Sequence, residues 1–332
     1  MGHTLIIAEA GVNHNGDFEM AKRMVLAAKE AGADIVKFQT ANVDLLVSEY
    51  AEMAEYQKKN TGKIQSQRDM LQKILLSYNE FIALSNFCSE VGIKFLSTPF
   101  DIESIRFLSG LGIDVWKVPS GEITNYPYLV EIAKTKLPII LSTGMSTLDE
   151  IDDAIKLLQE NGSGKITLLH CTTEYPTPYR HVNLNAMSTL RERFGLDIGY
   201  SDHTLGMEVP IAAAALGAVI IEKHFTLSRK MEGPDHQASL EPGELKEMIQ
   251  SIRRLEKALG DGKKQPTDVE KKNAMAARKS IIARKDIQEG ECLTEDNLTT
   301  KRPGTGISPM KWNEVLGTMA VRDFKKDELI EL

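Results

Sequence analysis

Cysteine and tryptophan are scarce in this 332-residue chain, and long apolar runs are missing altogether. Cys88, Cys171 and Cys292 stand far apart with no CxxC spacing, which excludes a zinc ribbon or a dithiol redox pair and leaves buried thiols as the expectation. No apolar stretch reaches the roughly 20 residues that span a bilayer, so no membrane partner is expected. Ahead of the first apolar strand, Met1-Gly2-His3-Thr4 offers no basic segment or cleavage site, and a cytoplasmic location is expected. An excess of positive charge is lacking too. With 40 Lys+Arg against 47 Asp+Glu the net charge is -7, and nucleic acid is not an expected partner. Residues 261–332 are nearly balanced at 14 against 13, so the acidic excess belongs to residues 1–260. A few lysines focused in a cleft can still hold an anion there.

What the chain does contain is a repeated strand-helix unit. Thr4-Leu5-Ile6-Ile7-Ala8-Glu9 is nearly continuously apolar and breaks into Gly11 and a polar Asn13-His14-Asn15-Gly16 loop, as a buried parallel strand does. Asp17 then caps a helix over Phe18 to Ala31, with Met20, Met24, Ala27 and Ala28 at helical spacing as core and Gly32 as its stop. Further strands are predicted over residues 33–39, 93–99, 115–118, 138–143, 165–170, 197–200 and 219–224, each followed by a helical stretch, with a long insertion from the second strand through Ser77. Eight such units over roughly 250 residues predict a (β/α)8 barrel. The rival, a doubly wound sheet, lacks the GxGxxG phosphate fingerprint at its first loop. The boundaries expected are a barrel over 1–260, a Gly/Pro-containing linker over 261–275 and a small domain over 276–332, in which Ser280–Ala283 reads as a strand.

Barrel active sites form where strands end, so the polar residues there should converge. Lys37 and Lys117 lie in apolar strands, where an unpaired ammonium costs several kcal/mol, and therefore call for an anion or a carboxylate. With the hydroxyls of Thr98, Ser120, Ser142 and Ser201 they could surround phosphate and carboxylate groups. His203 and His224 end neighbouring strands. Singly each reads as a structural histidine; together they could share one catalytic divalent metal with positions left for substrate and water. Glu9 and Glu122 are the candidate proton-transfer carboxylates, or else ion-pair partners of the lysines. Lys58-Lys59 and Lys325-Lys326 read as solvated faces.

These residues sit in motifs that resemble the bacterial sialic acid synthases along the whole chain. The motifs are Ala8-Glu9-Ala10-Gly11-Val12-Asn13-His14-Asn15-Gly16, Lys37-Phe38-Gln39-Thr40, Ser97-Thr98-Pro99-Phe100-Asp101, Lys117-Val118-Pro119-Ser120-Gly121-Glu122, Ser142-Thr143-Gly144-Met145, His170 to Pro178, Ser201-Asp202-His203-Thr204 and Glu222-Lys223-His224-Phe225-Thr226. Lys301-Arg302-Pro303-Gly304 and Gly306-Ile307-Ser308-Pro309 resemble that family's antifreeze-like (SAF) C-terminal domain.

The resemblance implies a transferase that condenses phosphoenolpyruvate with an open-chain N-acetylated mannosamine-type sugar and water, releasing phosphate. It implies N-acetylmannosamine giving N-acetylneuraminate as the main reading and, as the alternative, a 2,4-diacetamido-2,4,6-trideoxymannose giving diacetyllegionaminate. It also implies manganese or magnesium on His203 and His224. Lys37, Thr98, Lys117, Ser120, Ser142, Thr173 and Ser201 would hold phosphoenolpyruvate, Thr173 standing where some members have asparagine. Gln39, Glu122, Tyr175 and Asp235 would contact the sugar, Glu9 would lie near the reacting carbons, and Arg302 would reach in from the partner subunit of a domain-swapped homodimer. A metal-dependent pyruvate aldolase and a noncatalytic sugar-binding protein are the other readings, which phosphate release separates from the first.

Overall fold

Eight parallel strands form the frame of the larger unit in this computed structural model, which describes residues 3–48, 50–51 and 66–332. They are β1 (Leu5–Gly11), β2 (Ile35–Thr40), β3 (Lys94–Pro99), β4 (Trp116–Val118), β5 (Ile139–Ser142), β6 (Ile166–Cys171), β7 (Asp197–Asp202) and β8 (Ile220–His224). Their hydrogen-bonded order is β3-β2-β1-β8-β7-β6-β5-β4, and β3 lies beside β4 to complete a (β/α)8 barrel. Helices follow the strands for local reasons. Asp17 accepts from the Met20 backbone N–H to start the helix Phe18–Ala31, and Gly32, at φ 90°, ends it. On that helix Met24 and Ala28 are buried in the core, whereas Met20 is only half-buried.

Strand alternation separates two kinds of interior. Ile7, Ile35, Leu96, Ile140, Leu169 and Ile220 meet inside the barrel as an apolar plug. Two residues further along the same strands stand Glu9, Lys37, Thr98, Ser142, Cys171 and Glu222, all lining the cavity above it. On β7 the plug position is Gly199, where an added Cβ would lie 2.5 Å from Leu169 Cδ2 and 2.6 Å from the Ile220 carbonyl oxygen. Outward-facing apolar residues such as Ile6, Phe38, Trp116 and Leu168 pack instead against the helices.

The insertion after β2 contributes helices Val43–Leu46 and Gln67–Ile74. The second of these rests on the loop after β1: an added Cβ at Gly16, φ 74°, would lie 2.5 Å from the Lys73 carbonyl oxygen. Lys58 and Lys59 lie outside the described residues.

The chain divides into compact units at Met1–Asp261 and Gly262–Leu332. The smaller unit pairs β9 (Ser280–Ala283) antiparallel with β10 (Leu298–Lys301) and closes a core around Ile281, Leu293, Val315 and Phe324. The helix Asp268–Ala277, with a reciprocal capping box between Thr267 and Glu270, occupies much of the stretch expected as linker. Cys88 and Cys171 are buried, but Cys292 is exposed, because alternation at its bridge to Met319 turns the neighbouring Leu293 into the core instead. Lys325 is solvated as expected and pairs with Asp286 at 2.8 Å. No described helix is long and apolar enough to cross a membrane.

Candidate active site

At the carboxyl ends of the strands lies a cavity of about 550 Å³. Its floor is charged. Lys37 Nζ, on β2, is 2.7 Å from Glu9 Oε2 on β1 and 3.6 Å from Glu222 Oε2 on β8, and it donates to Thr98 Oγ1 at 3.0 Å. Lys117 Nζ, on β4, donates to Ser142 Oγ at 2.7 Å and stands 3.7 Å from Glu222 Oε1. Ser201 donates to Glu222 Oε1 at 2.8 Å, and Gln39 donates to Glu9 Oε1 at 3.1 Å.

Burial and partners pull these groups apart. Burial by itself would raise the Glu222 carboxyl, but the ammonium groups of Lys117 and Lys37 outweigh it and hold Glu222 down at about 2. For Glu9, burial wins over Lys37 and the Glu222 charge adds to it, so its pKa is raised. Burial lowers Lys117, only partly offset by Glu222, while at Lys37 the carboxylates of Glu222 and Glu9 outweigh burial and raise the ammonium.

The histidines stand at one side of this floor. Their ring centroids are 5.5 Å apart, and Tyr175 lies 4.1 Å from the His203 ring and 5.8 Å from that of His224. The Nδ1 of His203 is 2.6 Å from the Thr172 carbonyl oxygen; a proton donated there leaves Nε2 with its lone pair free. The Nδ1 of His224 is buried without a hydrogen-bond partner. Burial depresses both rings, His203 to about 4 and His224 well below its ordinary value, so both are neutral imidazoles at pH 7. A free lone pair, an orphaned buried nitrogen and neutral rings fit a divalent metal. No group of three or more His, Cys, Asp or Glu donors joins them among the described residues, so further coordination would fall to substrate and water.

Thr173, Ser120 and Asp235 also line the cavity. Ser120 Oγ accepts from the Gly144 backbone N–H at 2.9 Å, and burial raises the Asp235 carboxyl to about 7. One expected site residue does not line the cavity. Glu122 follows Ser120 in a tight turn, Ser120–Glu122, that directs its carboxylate to Asn125 Nδ2 at 2.5 Å. Arg302, expected to act from the partner subunit, belongs to the smaller unit, and within its own chain its Nε donates to the Ala277 carbonyl oxygen at 2.9 Å.

Two features were not singled out from sequence. Glu222 lies two residues before His224 on β8, a spacing that signals the same face. Leu46, Val47, Met70, Leu71, Ile74 and Phe100 add an apolar lining to the cavity, most of it from the insertion after β2, with Gln67 as a polar member of helix Gln67–Ile74.

The NeuB family model matches residues 24–264, and the SAF domain model matches residues 278–331. Over 332 residues, 99% of each chain, the protein is 53% identical to an N,N'-diacetyllegionaminic acid synthase of Campylobacter jejuni subsp. jejuni. It is 49% identical to another synthase of that name from Legionella pneumophila, over 94% of this chain and 89% of the other. In structure it is similar to the N-acetylneuraminic acid synthetase of Leptospira borgpetersenii, with a TM-score of 0.72 at 34% identity, covering 82% of this chain and 90% of that one. A charged floor, paired imidazoles and a matching model over most of the barrel lead to one conclusion: the chain belongs to the NeuB family, with a SAF domain at its carboxyl end.

Proposed function

We propose that this protein condenses phosphoenolpyruvate with an open-chain 2,4-diacetamido-2,4,6-trideoxymannose, giving N,N'-diacetyllegionaminate and phosphate. N-acetylmannosamine, the first expectation from sequence, is the second reading. The observation that carries the choice is the apolar lining that the insertion after β2 gives to the cavity. A sugar seated with C4 and C6 toward Met70, Leu71 and Ile74 would leave the hydroxyls of N-acetylmannosamine beside apolar side chains, with Gln67 as the polar neighbour on that helix. A hydroxyl left unpaired there costs about 1–3 kcal/mol. The deoxy sugar presents a C6 methyl and an acetamido methyl to the same surface. Two relatives near half identity, both named for the legionaminic product, support the same reading.

In this reading Lys37, Lys117 and the hydroxyls of Thr98, Ser120, Ser142 and Ser201, with Thr173 beside them, hold the phosphate and carboxylate of phosphoenolpyruvate. Glu222, within 3.7 Å of both ammonium groups, offsets the burial of Lys37 fully, together with Glu9, and that of Lys117 in part. His203 and His224 would hold a manganese or magnesium ion, which supplies Lewis-acid polarisation of the aldehyde oxygen when bound. The C3 carbon of phosphoenolpyruvate attacks the aldehyde carbon and forms the new C–C bond, water adds at C2, and the C–O bond to phosphate breaks. Lys37 and Lys117 meet the charge that develops on the departing phosphate. Glu9, its pKa raised by burial, takes a proton from the water that adds at C2 and returns one to the oxygen that was the aldehyde's; Gln39, which holds Glu9, and Tyr175 and Asp235 orient the sugar. Glu122, turned to Asn125, is given no step.

A homodimer in which Arg302 of the partner subunit completes the sugar site belongs to the same proposal. Its support is a set of exposed apolar side chains on the segments that follow β4, β5, β6 and β7, Tyr126 64%, Met145 71%, Tyr179 62% and Leu205 49% exposed, of which Met145 also lines the cavity. The test of the reaction is phosphate release from phosphoenolpyruvate with the two sugars side by side. A preference for N-acetylmannosamine would sink the sugar assignment.

A further inference from the structure

Asp202 and Lys223 interrupt the row of cavity residues on β7 and β8. Ser201 and His203 line the cavity, as do Glu222 and His224. Alternation therefore turns the intervening Asp202 and Lys223 to the opposite face of the barrel wall, where both are fully buried. They are partners across the strand ladder, with Lys223 Nζ 2.5 Å from Asp202 Oδ2. The same ammonium donates to the Thr204 carbonyl oxygen at 2.5 Å, and the Thr204 hydroxyl donates to the Asp202 carboxylate at 2.9 Å.

Stability is a weak explanation for this arrangement, since well-packed apolar side chains of similar volume often serve as well as a buried ion pair. Geometry is a better one. The β7–β8 ladder runs Tyr200↔Ile221, Ser201↔Glu222, Asp202↔Lys223 and ends there, one residue short of both histidines. His224 remains fixed to β1, where it pairs with Glu9, but His203 has passed the end of its strand. Lys223 grips the residues on both sides of His203 at once, Asp202 by its carboxylate and Thr204 by its carbonyl.

We propose that Asp202, Lys223 and Thr204 form a clamp behind the imidazole pair, which sets the spacing of His203 and His224 for a single divalent cation. These are positioning residues acting through the histidines, and the inference rests on the reading that the two histidines hold the metal.

Manganese binding to the full chain without substrates, followed by calorimetry, is the test. The variant Asp202→Asn with Lys223→Met removes both charges together, so neither is stranded. Its manganese dissociation constant should rise about 10- to 100-fold, the usual cost of losing groups that orient metal ligands. Phosphoenolpyruvate binding without metal should stay within about 2-fold, as Lys37 and Lys117 are untouched. A folded double variant that binds manganese like the parent overturns the clamp. Should that variant fail to fold, Thr204→Val, which removes only the hydroxyl held by Asp202, should weaken manganese in the same direction by a smaller factor. An unchanged affinity there also overturns it. Parent protein that binds no manganese, or binds it equally well as His203→Ala, instead removes the underlying metal assignment.

Discussion

His14 shows how a buried residue outside the cavity ties the molecule to a pH range. Its ring is fully buried, with Nδ1 accepting from the Gly16 backbone N–H at 3.2 Å and Nε2 without a partner. Burial outweighs the nearby Glu80 and Asp17 and depresses its pKa to about 4. Between the unfolded value of 6.5 and that level, the unfolded chain takes up a proton that the folded chain refuses. The contribution is therefore present above pH 6.5 and is lost as pH falls toward 4, by about 3 kcal/mol in total. His14→Asn, which keeps an acceptor for Gly16, should lose less stability than the parent between pH 7.5 and pH 5 in urea unfolding. Equal losses would refute the assignment. At this scale the sequence was legible wherever type and position combine: lysines inside apolar strands and histidines at strand ends needed no structure. Glu222 was harder, because a carboxylate beside Lys223 reads as an ordinary neighbouring pair until β8 turns the two to opposite faces. Glu122 went the other way, since a tight turn after Pro119 breaks the alternation that would have aimed it inward.

Strands and helices were readable because each strand carries an apolar run bounded by turns and caps. The division within a strand, plug first and chemistry two residues later, follows from the same period. Gly199 is where this division leaves no side chain: Leu169 and the Ile220 carbonyl fill its place. Gly199→Ala should therefore cost about 1–3 kcal/mol of unfolding free energy through overpacking, with the denaturant slope unchanged. A variant as stable as the parent would show that the plug yields freely. Elements outside the repeat were less legible. Helix Gln67–Ile74 lies within an insertion that has no period to extrapolate, and it matters because it brings Met70, Leu71 and Ile74 to the cavity. Helix Asp268–Ala277 hid behind a Gly/Pro-containing stretch, although Thr267 and Glu270 have capping-box spacing.

For the whole molecule, the barrel holds every element of the charged floor within one unit, whereas Arg302 belongs to the other. A site shared between copies predicts complementation. Chains disabled by Lys117→Ala, mixed under subunit exchange with chains impaired by Arg302→Ala, should regain part of the activity, because some mixed dimers pair an intact floor with an intact arginine. No recovery despite demonstrated exchange would contradict a shared site. The central claim concerns the reaction, and its most direct measurement is inorganic phosphate released when the full chain receives phosphoenolpyruvate, manganese and the 2,4-diacetamido-trideoxy sugar. The account predicts phosphate equal to the sugar consumed, none without sugar, loss of release with His203→Ala, and a specificity constant for N-acetylmannosamine lower by about 10-fold or more. Product formed from free pyruvate without phosphate release, or faster release with N-acetylmannosamine, would contradict it.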